Sequence, residues 1–178
     1  AAYSRVYSLE QGRDILSITK EEFLASYEGI QKLPEEMPHD DVSQNYHSAR
    51  KIPEKLKAVG FAVVPLDVDL PAEVLVGEAL EKVSRLEHIR WVRHHIDAGW
   101  VFSPQKRKIY RLHDALVPWD EEERQAVEQV YGKGYVEKMG TGKGVVLSEA
   151  YRNLDRAISL AIPWILEIAG YKMVKVNQ

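Results

Sequence analysis

The sequence predicts a mainly α-helical protein built from two pseudo-symmetric helical halves, with a short β-strand after the closing helix of each half. Apolar residues recur with the 3.6-residue period of a helix, most clearly over residues 72–98. Residues 52–61 also match residues 162–171 at a constant offset of 110 without a gap, sharing Ile, Pro, Leu and Gly and ending in an aromatic residue. This match indicates an internal duplication.

The duplication suggests how the chain is organised. We expect one domain over residues 1–178, with a degenerate first half at 15–70 and a second half at 72–178. The chain is long enough to bury a hydrophobic core, and its composition, 45% hydrophobic and 29% charged, is that of an ordinary globular protein.

The first half opens with a helix signal. Residues 19–22 read Thr-Lys-Glu-Glu and fit a capping box, since the Thr side chain accepts from a backbone N–H three residues on while the Glu reaches back. The helix that follows has Phe23, Tyr27 and Ile30 at helical spacing, and prolines at 34 and 38 end it.

The rest of the first half predicts a helix and a strand. The helix runs from Asp40 or Asp41 to Val59, with Pro53 either kinking it or beginning a new segment. Gly60 ends the helix, and residues 61–64 form a short strand.

The second half begins with the longest predicted helix, residues 72–98, which Gly99 ends. An irregular basic loop follows as far as Pro118. Asp120 is the expected N-cap of the next helix, because it precedes three glutamates that suit the positive end of a helix.

The remainder of the second half predicts a loop, a helix and a strand. Residues 131–144 are rich in glycine and predict a mobile loop. A last helix is predicted over residues 148–169, with Gly170 just after it and a strand at 171–176.

Composition excludes several classes of protein. The chain has no cysteine, which excludes a disulfide scaffold, cysteine-ligated metals and a thiol nucleophile, and favours a reducing cytoplasm. Its apolar runs are far shorter than the roughly 20 residues that cross a bilayer. The net charge of −3 gives no reason to expect DNA binding. The chain starts without Met, so we expect a processed product or a fragment, which leaves open a missing membrane or nucleotide-binding domain.

Three common catalytic or phosphate-binding motifs are absent from the sequence. Residues 140–144 resemble a phosphate loop, but Glu137 replaces its first glycine and Gly144 its hydroxyl residue. His88 and His95 are seven residues apart, which is not the spacing of a zinc protease. No nucleophile elbow is present either. We therefore expect no catalytic residues, metal or cofactor, and no enzyme activity.

A basic, aromatic segment is the most specific feature. Residues 85–113 contain seven Arg and Lys residues against two acidic ones, a net of +5, while the remainder of the chain carries −8. This segment is either a solvated surface or a pocket for an anion. Trp91, Trp100 and Trp119 lie in or near it. We expect Trp91 and Trp119 in the core, and Trp100, which follows a helix-ending glycine, in contact with a ligand.

The second half resembles the RyR domain, the repeat named for ryanodine receptors that also occurs in bacterial and phage proteins. The resemblance rests on five segments: LEHIRW at 86–91, AGW at 98–100, HDALVPW at 113–119, NLDR at 153–156 and GY at 170–171. The chain departs from the family pattern after Trp100, at Asp114, where the family has Pro, and at residues 131–147, which look like an insertion. The resemblance spans residues 80–175.

The resemblance implies a mostly helical domain with short paired strands and no catalytic activity. In ryanodine receptors, tryptophans of the Gly-Trp pairs clamp an adenine nucleotide. Bacterial members occur beside nucleotide-binding or membrane modules in signalling and antiviral defence systems. Only Trp100 matches the clamp directly. The second ring, on the other side of the nucleotide, would therefore come from Tyr46, another aromatic residue or a second chain.

Together, these features predict a ligand-sensing module for an adenine nucleotide or a cyclic (oligo)nucleotide second messenger. The expected ligand-binding residues are two aromatic residues, five cations and a histidine: Trp100, Tyr46, Arg93, Lys106, Arg107, Lys108, Arg111 and His113. The alternative is a protein-interaction or structural module that mediates oligomerisation, such as a homodimer, or regulates a partner domain.

Overall fold

The computed structural model describes residues 15–28 and 39–176. These residues are mostly helical with two small two-stranded sheets, which confirms the predicted mainly α class. The helices are α1 (Lys20–Glu28), α2 (His39–Arg50), α3 (Ile52–Lys57), α4 (Gly77–Asp97), α5 (Glu121–Gln125), α6 (Val127–Tyr131), α7 (Lys133–Val136), α8 (Glu149–Leu160) and α9 (Ile162–Ile168). The strands are β1 (Phe61–Pro65), β2 (Val101–Phe102), β3 (Leu112–His113) and β4 (Tyr171–Lys175), and 3-10 turns occupy Ile15–Ser17 and Lys108–Tyr110.

Contacts within the chain define two compact units. The first unit is discontinuous and combines residues up to Ser84 with residues from Asn153 onwards, whereas the second is the continuous stretch Arg85–Arg152. The unit boundaries fall inside α4 and α8. The units therefore do not coincide with the halves 15–70 and 72–178 drawn from the sequence.

Two predicted helix starts are confirmed in atomic detail. Thr19 Oγ1 accepts from Glu22 N at 3.2 Å and Thr19 N donates to Glu22 Oε2 at 2.9 Å, which completes the capping box of α1. Asp120 is the N-cap of α5, where its side chain accepts from Glu123 N at 2.9 Å. The expected end of α1 at prolines 34 and 38 lies outside the described residues.

Each of two expected long helices is interrupted next to a proline. The helix expected to end at Val59 consists of α2 and α3, and the helix expected over residues 148–169 consists of α8 and α9. Pro53 and Pro163 lie in the first turn of the later helix, where a missing N–H breaks no helical bond. The new segment at Pro53 is thus confirmed, and the uninterrupted final helix is wrong.

The first unit contains the antiparallel pair β1–β4. Val63 lies opposite Met173 at the centre of the pair, and both strands lie within one residue of their predicted bounds. Gly60 (φ +85°) and Gly170 (φ +86°) make the left-handed turn from helix to strand that a side chain would strain. The core of this unit consists of Ile52, Leu56, Phe61, Leu75, Val83, Ile162, Leu166 and Met173.

The longest helix starts later than predicted. Residues 72–76 are not helical, and α4 begins only at Gly77. Glu73 N donates to Met173 O at 2.9 Å, so this segment lies along β4 as extended chain instead of continuing a helix. The prediction of a helix from residue 72 is therefore wrong at its first turn.

The second unit contains β2, β3 and the short helices α5 to α7. The two strands are parallel, with Val101 opposite Leu112 and Phe102 opposite His113. The stretch 131–144, expected to be a loop, contains α7, and Gly140 is buried against the ring of Phe102. Packing therefore gives this glycine-rich segment more regular structure than its composition predicts.

No helix in the described residues is both long enough and apolar enough to cross a membrane.

Candidate functional site

A cluster of aromatic and histidine rings lies in the second unit. We call Trp91, His95, Trp100 and His113 the aromatic–histidine cluster. Trp91 and His95 are one turn apart on α4, and their ring centroids lie 3.9 Å apart. His113, on β3, lies 4.9 Å from Trp91 and 6.0 Å from Trp100 between ring centroids. Helix α4 and the β2–β3 pair together build the cluster.

Trp100 is largely buried within this cluster. Gly99 (φ +88°) ends α4, and Trp100 N donates to His95 O at 2.9 Å. The next residue, Val101, then pairs with Leu112, so Trp100 lies between a helix end and a strand. The side chain is 8% exposed and packs in the core, as does Trp119 at 1%, while Trp91 is partly exposed. Burial of Trp119 was expected, but Trp100 is more buried than Trp91, contrary to what the sequence favoured.

Both histidines of the aromatic–histidine cluster, His95 and His113, are neutral at physiological pH. Burial lowers the pKa of His95 to about 3, and His95 Nδ1 donates to Trp91 O at 2.9 Å. Burial, together with the charges of Lys106 and Lys108, lowers the pKa of His113 to about 4. Two neutral imidazoles therefore lie beside the tryptophans.

The hydrogen bonds of His113 fix its tautomer. Ala115 N donates to His113 Nδ1 at 3.0 Å, so Nδ1 is the acceptor and Nε2 carries the proton. Asp114 Oδ1 lies 3.2 Å from the same Nδ1, but it accepts from Tyr151 OH at 3.0 Å. At neutral pH the pair His113–Asp114 is therefore not an ion pair, and His113 offers an N–H donor.

The basic loop, defined here as residues 103–111, connects β2 to β3. Lys106, Arg107, Lys108 and Arg111 are all exposed. Arg107 and Leu112 exchange both backbone hydrogen bonds, at 3.0 and 3.1 Å, and this closes the turn between them. The loop therefore has a defined backbone and displays four cations.

The predicted cations differ in what they contact. Arg111 Nη1 donates to Ala98 O, and Arg107 Nη2 donates to Gln105 Oε1 at 3.2 Å. Lys106 and Lys108 both lower the pKa of His113, so their charges act on the aromatic–histidine cluster. Among the loop cations, the two lysines are thus the ones whose charge bears on this cluster.

Arg93 is engaged with the end of α6. Its Nη2 donates to Val130 O at 2.5 Å and to Tyr131 O at 3.5 Å, and its guanidinium lies 5.8 Å from the centroid of the Tyr135 ring. A cation at this position satisfies carbonyls at the negative end of a helix. Its contacts are those of a structural residue.

Tyr46 belongs to a different unit from the other predicted site residues. It lies on α2 in the first unit and is 67% exposed, whereas the other seven lie in the second unit. Its pairing with Trp100 stays a prediction.

Glu87 and His88, which lie on α4 within the basic, aromatic segment 85–113, make structural contacts. Glu87 and Arg90 are buried and joined by two hydrogen bonds of 2.7 and 3.1 Å. His88 Nε2 donates to Val117 O at 2.7 Å. Across residues 15–28 and 39–176, no group of three or more His, Asp or Glu side chains is arranged to hold a metal ion.

Two residues at the tip of the basic loop were not singled out from the sequence. Ile109 is 92% exposed and Tyr110 is 69% exposed. The available signal was an apolar pair inside an otherwise basic stretch, between Lys108 and Arg111.

Comparison of the chain with protein-family models, with curated protein sequences and with solved structures finds no match.

Proposed function

We propose that the second unit is a non-enzymatic module that binds a nucleotide or a nucleotide-derived second messenger through its phosphate groups. The observation that carries the proposal is the closed turn of the basic loop, which leads into β3 and displays Lys106 and Lys108 on the surface; their charges also lower the pKa of buried His113. Residues 98–113 include no Asp or Glu, and Asp97 and Asp114 flank this stretch. An anion near these charges would be attracted by both lysines.

The neighbouring groups suit a nucleotide in particular. The His113 ring carries a neutral N–H, and Trp100 packs beside it, but both side chains are largely buried, so a base could contact only the small part of each that remains exposed. The resemblance to the RyR domain implies the same role for Trp100. Arg107 and Arg111 add positive charge to the loop, whereas Arg93 is bonded to the end of α6 and is not part of the proposed site.

The test is titration calorimetry with AMP, ATP and a cyclic dinucleotide. We expect binding to one of them, weakened at least about tenfold in a Lys106→Ser/Lys108→Ser variant, because two charge-assisted contacts are lost. The control is Lys133→Ser/Lys143→Ser, which removes two exposed lysines of the same unit outside the basic loop. No binding by the wild type, or an equal loss in both variants, overturns the proposal.

A second readout reports on the position of the ligand. A bound phosphate beside His113 stabilises the imidazolium and raises its pKa above the value of about 4. We expect NMR titration of the His113 ring to register this rise with ligand and none in the lysine double variant. A ligand that binds without moving this pKa lies elsewhere.

The second candidate function is a protein-interaction module, for example one that forms a homodimer. It is supported by four exposed aliphatic side chains in one short segment of the first unit: Leu66, Leu70, Val74 and Val76. Light scattering after size-exclusion chromatography tests it. A concentration-dependent dimer that Leu70→Glu dissociates supports this function, and a monomer at all concentrations contradicts the homodimer.

We also infer that residues 39–66 and 149–176 are two copies of one structural element. This inference is supported by the bounds of the elements, which agree at an offset of 110. Helices α2 and α8 have 12 residues each, and strands β1 and β4 have five. The bonds flanking the β1–β4 pair agree as well, since Val176 N donates to Gly60 O at 2.9 Å and Leu66 N donates to Gly170 O at 3.1 Å. Exchanging each residue with its equivalent converts one bond into the other.

Matched substitutions test this duplication. Leu56 and Leu166 are equivalent and buried, so each Leu→Ala change is expected to cost about 3 kcal/mol of the free energy of unfolding. Gly60 and Gly170 have nothing within 4 Å of an added Cβ, so each Gly→Ala change costs only backbone strain of about 1 kcal/mol. Denaturant unfolding that gives unequal costs within both pairs contradicts the equivalence.

A further inference from the structure

The tip of the basic loop is a closed turn that displays two apolar side chains. The reciprocal backbone bonds between Arg107 and Leu112 close it, and the 3-10 turn Lys108–Tyr110 lies between them. Ile109 and Tyr110 are 92% and 69% exposed. Because the turn fixes the backbone, this exposure is a property of the loop's shape.

The base of the same loop is held by an unusual residue. Arg111 has φ +53°, a left-handed conformation that costs a non-glycine residue about 1 kcal/mol or more. Its guanidinium donates to Ala98 O, at the end of α4. A Cβ at Gly99 would lie 3.3 Å from Arg111 Nη1, so a larger residue there would crowd this anchor. The loop is thus anchored at its base and apolar at its tip.

The charged residues of the basic loop are all positive. Lys106, Arg107, Lys108 and Arg111 flank Ile109 and Tyr110, and the loop contains no carboxylate. A single exposed isoleucine is ordinary on a protein surface. An almost fully exposed isoleucine next to an exposed tyrosine, in a nine-residue loop that also carries four exposed cations, is a more specific combination.

We propose that this tip docks on an anionic lipid surface. Lipid headgroups supply phosphate for the four cations, and the boundary below them suits an isoleucine and a tyrosine, whose ring has one apolar and one polar end. A free phosphate or nucleotide would satisfy the cations alone and leave Ile109 in water. The apolar tip is therefore what distinguishes a bilayer from a soluble anion.

This inference goes beyond nucleotide binding and does not depend on it. The nucleotide proposal rests on Lys106, Lys108, His113 and Trp100, whereas the lipid contact adds Ile109 and Tyr110. Substitutions at the tip therefore separate the two.

The first experiment is co-sedimentation of the whole chain with vesicles of phosphatidylcholine, with and without phosphatidylserine. We expect binding to the anionic vesicles alone, weakening about fivefold when either Lys106 or Lys108, which are not the anchor of the loop, is changed to Ser. The variant Ile109→Ser/Tyr110→Ser is expected to weaken binding to these vesicles about tenfold or more. The same variant should leave nucleotide binding, measured by calorimetry, unchanged. The matched control is Tyr171→Ser/Val176→Ser, which changes another exposed tyrosine and β-branched residue in the first unit.

The second experiment uses the absence of cysteine from the chain. Ile109→Cys gives a single thiol for an environment-sensitive fluorophore, and Val176→Cys gives the control position. We expect a blue shift of the emission at position 109 when anionic vesicles are added, and none at position 176. Inorganic phosphate without vesicles should not produce this shift, because it offers no apolar contact.

Three outcomes overturn the proposal. The first is no binding to anionic vesicles, which would leave a protein partner as the occupant of the tip. The second is binding that Ile109→Ser/Tyr110→Ser does not weaken, which is electrostatic adsorption alone. The third is loss of nucleotide binding in that same variant, which would assign the tip to the nucleotide site.

Discussion

Acid is expected to destabilise the second unit because of His95 and His113. Burial lowers their pKa values to about 3 and about 4 in the folded chain, against an ordinary value of 6.5 when unfolded. As the pH falls below 6.5, the unfolded chain therefore takes up protons that the folded chain does not. The stability that these residues contribute is complete above pH 6.5 and is lost progressively as the pH falls toward the folded values.

The expected size of the effect follows from the same values. A histidine that is protonated only when unfolded costs about 1.4 kcal/mol of unfolding free energy for each pH unit below 6.5. At about pH 5, where both His95 and His113 are still neutral in the fold, the loss is about 2 kcal/mol for each and about 4 kcal/mol together. This is a large share of the stability of a typical domain.

Denaturant unfolding between about pH 7.5 and pH 5, followed by tryptophan fluorescence, measures this loss. Three of the four tryptophans, Trp91, Trp100 and Trp119, lie in the second unit, and Trp164→Phe removes the signal of the fourth, which lies in the first unit. The range stops at about pH 5 because ordinary carboxyl groups titrate below it. We expect the free energy of unfolding to fall with pH across this range.

Asparagine substitutions identify the groups responsible. In His95→Asn and His113→Asn, an amide atom takes the position of Nδ1 and can keep the bond to Trp91 O or from Ala115 N without titrating. Each single variant should halve the pH dependence, and the double variant should remove it. A double variant that keeps the wild-type dependence between about pH 6.5 and pH 5 refutes the reasoning.

Three further substitutions test local packing and bonding by thermal or denaturant unfolding. Gly140→Ala places a Cβ 2.8 Å from atoms of the Phe102 ring and should lower the free energy of unfolding by about 1–3 kcal/mol. Adding Phe102→Leu should recover part of this loss, and no loss at all would mean that the ring moves freely. Tyr131→Phe removes the 2.8 Å bond to buried Glu123 Oε2 and should cost about 1.5–3 kcal/mol, and an unchanged midpoint would contradict this. Thr19→Ala removes the capping bond of α1 and should cost about 1 kcal/mol, with equal stability as the contrary result.

Local signals in the sequence predicted much of the fold. The capping residues Thr19 and Asp120 begin helices, and Gly60 and Gly170 end them, because each acts through bonds or dihedral angles within a few residues. The late start of α4 was not predictable in this way. It depends on the bond of Glu73 to a strand 100 residues later in the chain.

The candidate site was predictable in composition but not in burial. The sequence singled out Lys106 and Lys108, since a cluster of cations is visible without any structure. It did not reveal that Trp100 is largely buried, because this follows from the pairing of two-residue strands, which are too short to show a period. The exposure of Ile109 likewise follows from a turn closed by backbone bonds, which composition does not encode.

The pairing of β1 with β4 has a consequence for the order of folding. Val63 lies opposite Met173, so the sheet of the first unit can form only after 110 further residues have been synthesised. The second unit, Arg85–Arg152, is one continuous stretch that is complete before β4 emerges from the ribosome. During synthesis, β1 therefore has no strand partner until β4 is made, and we expect closing this long loop to be the slow step of assembling the first unit.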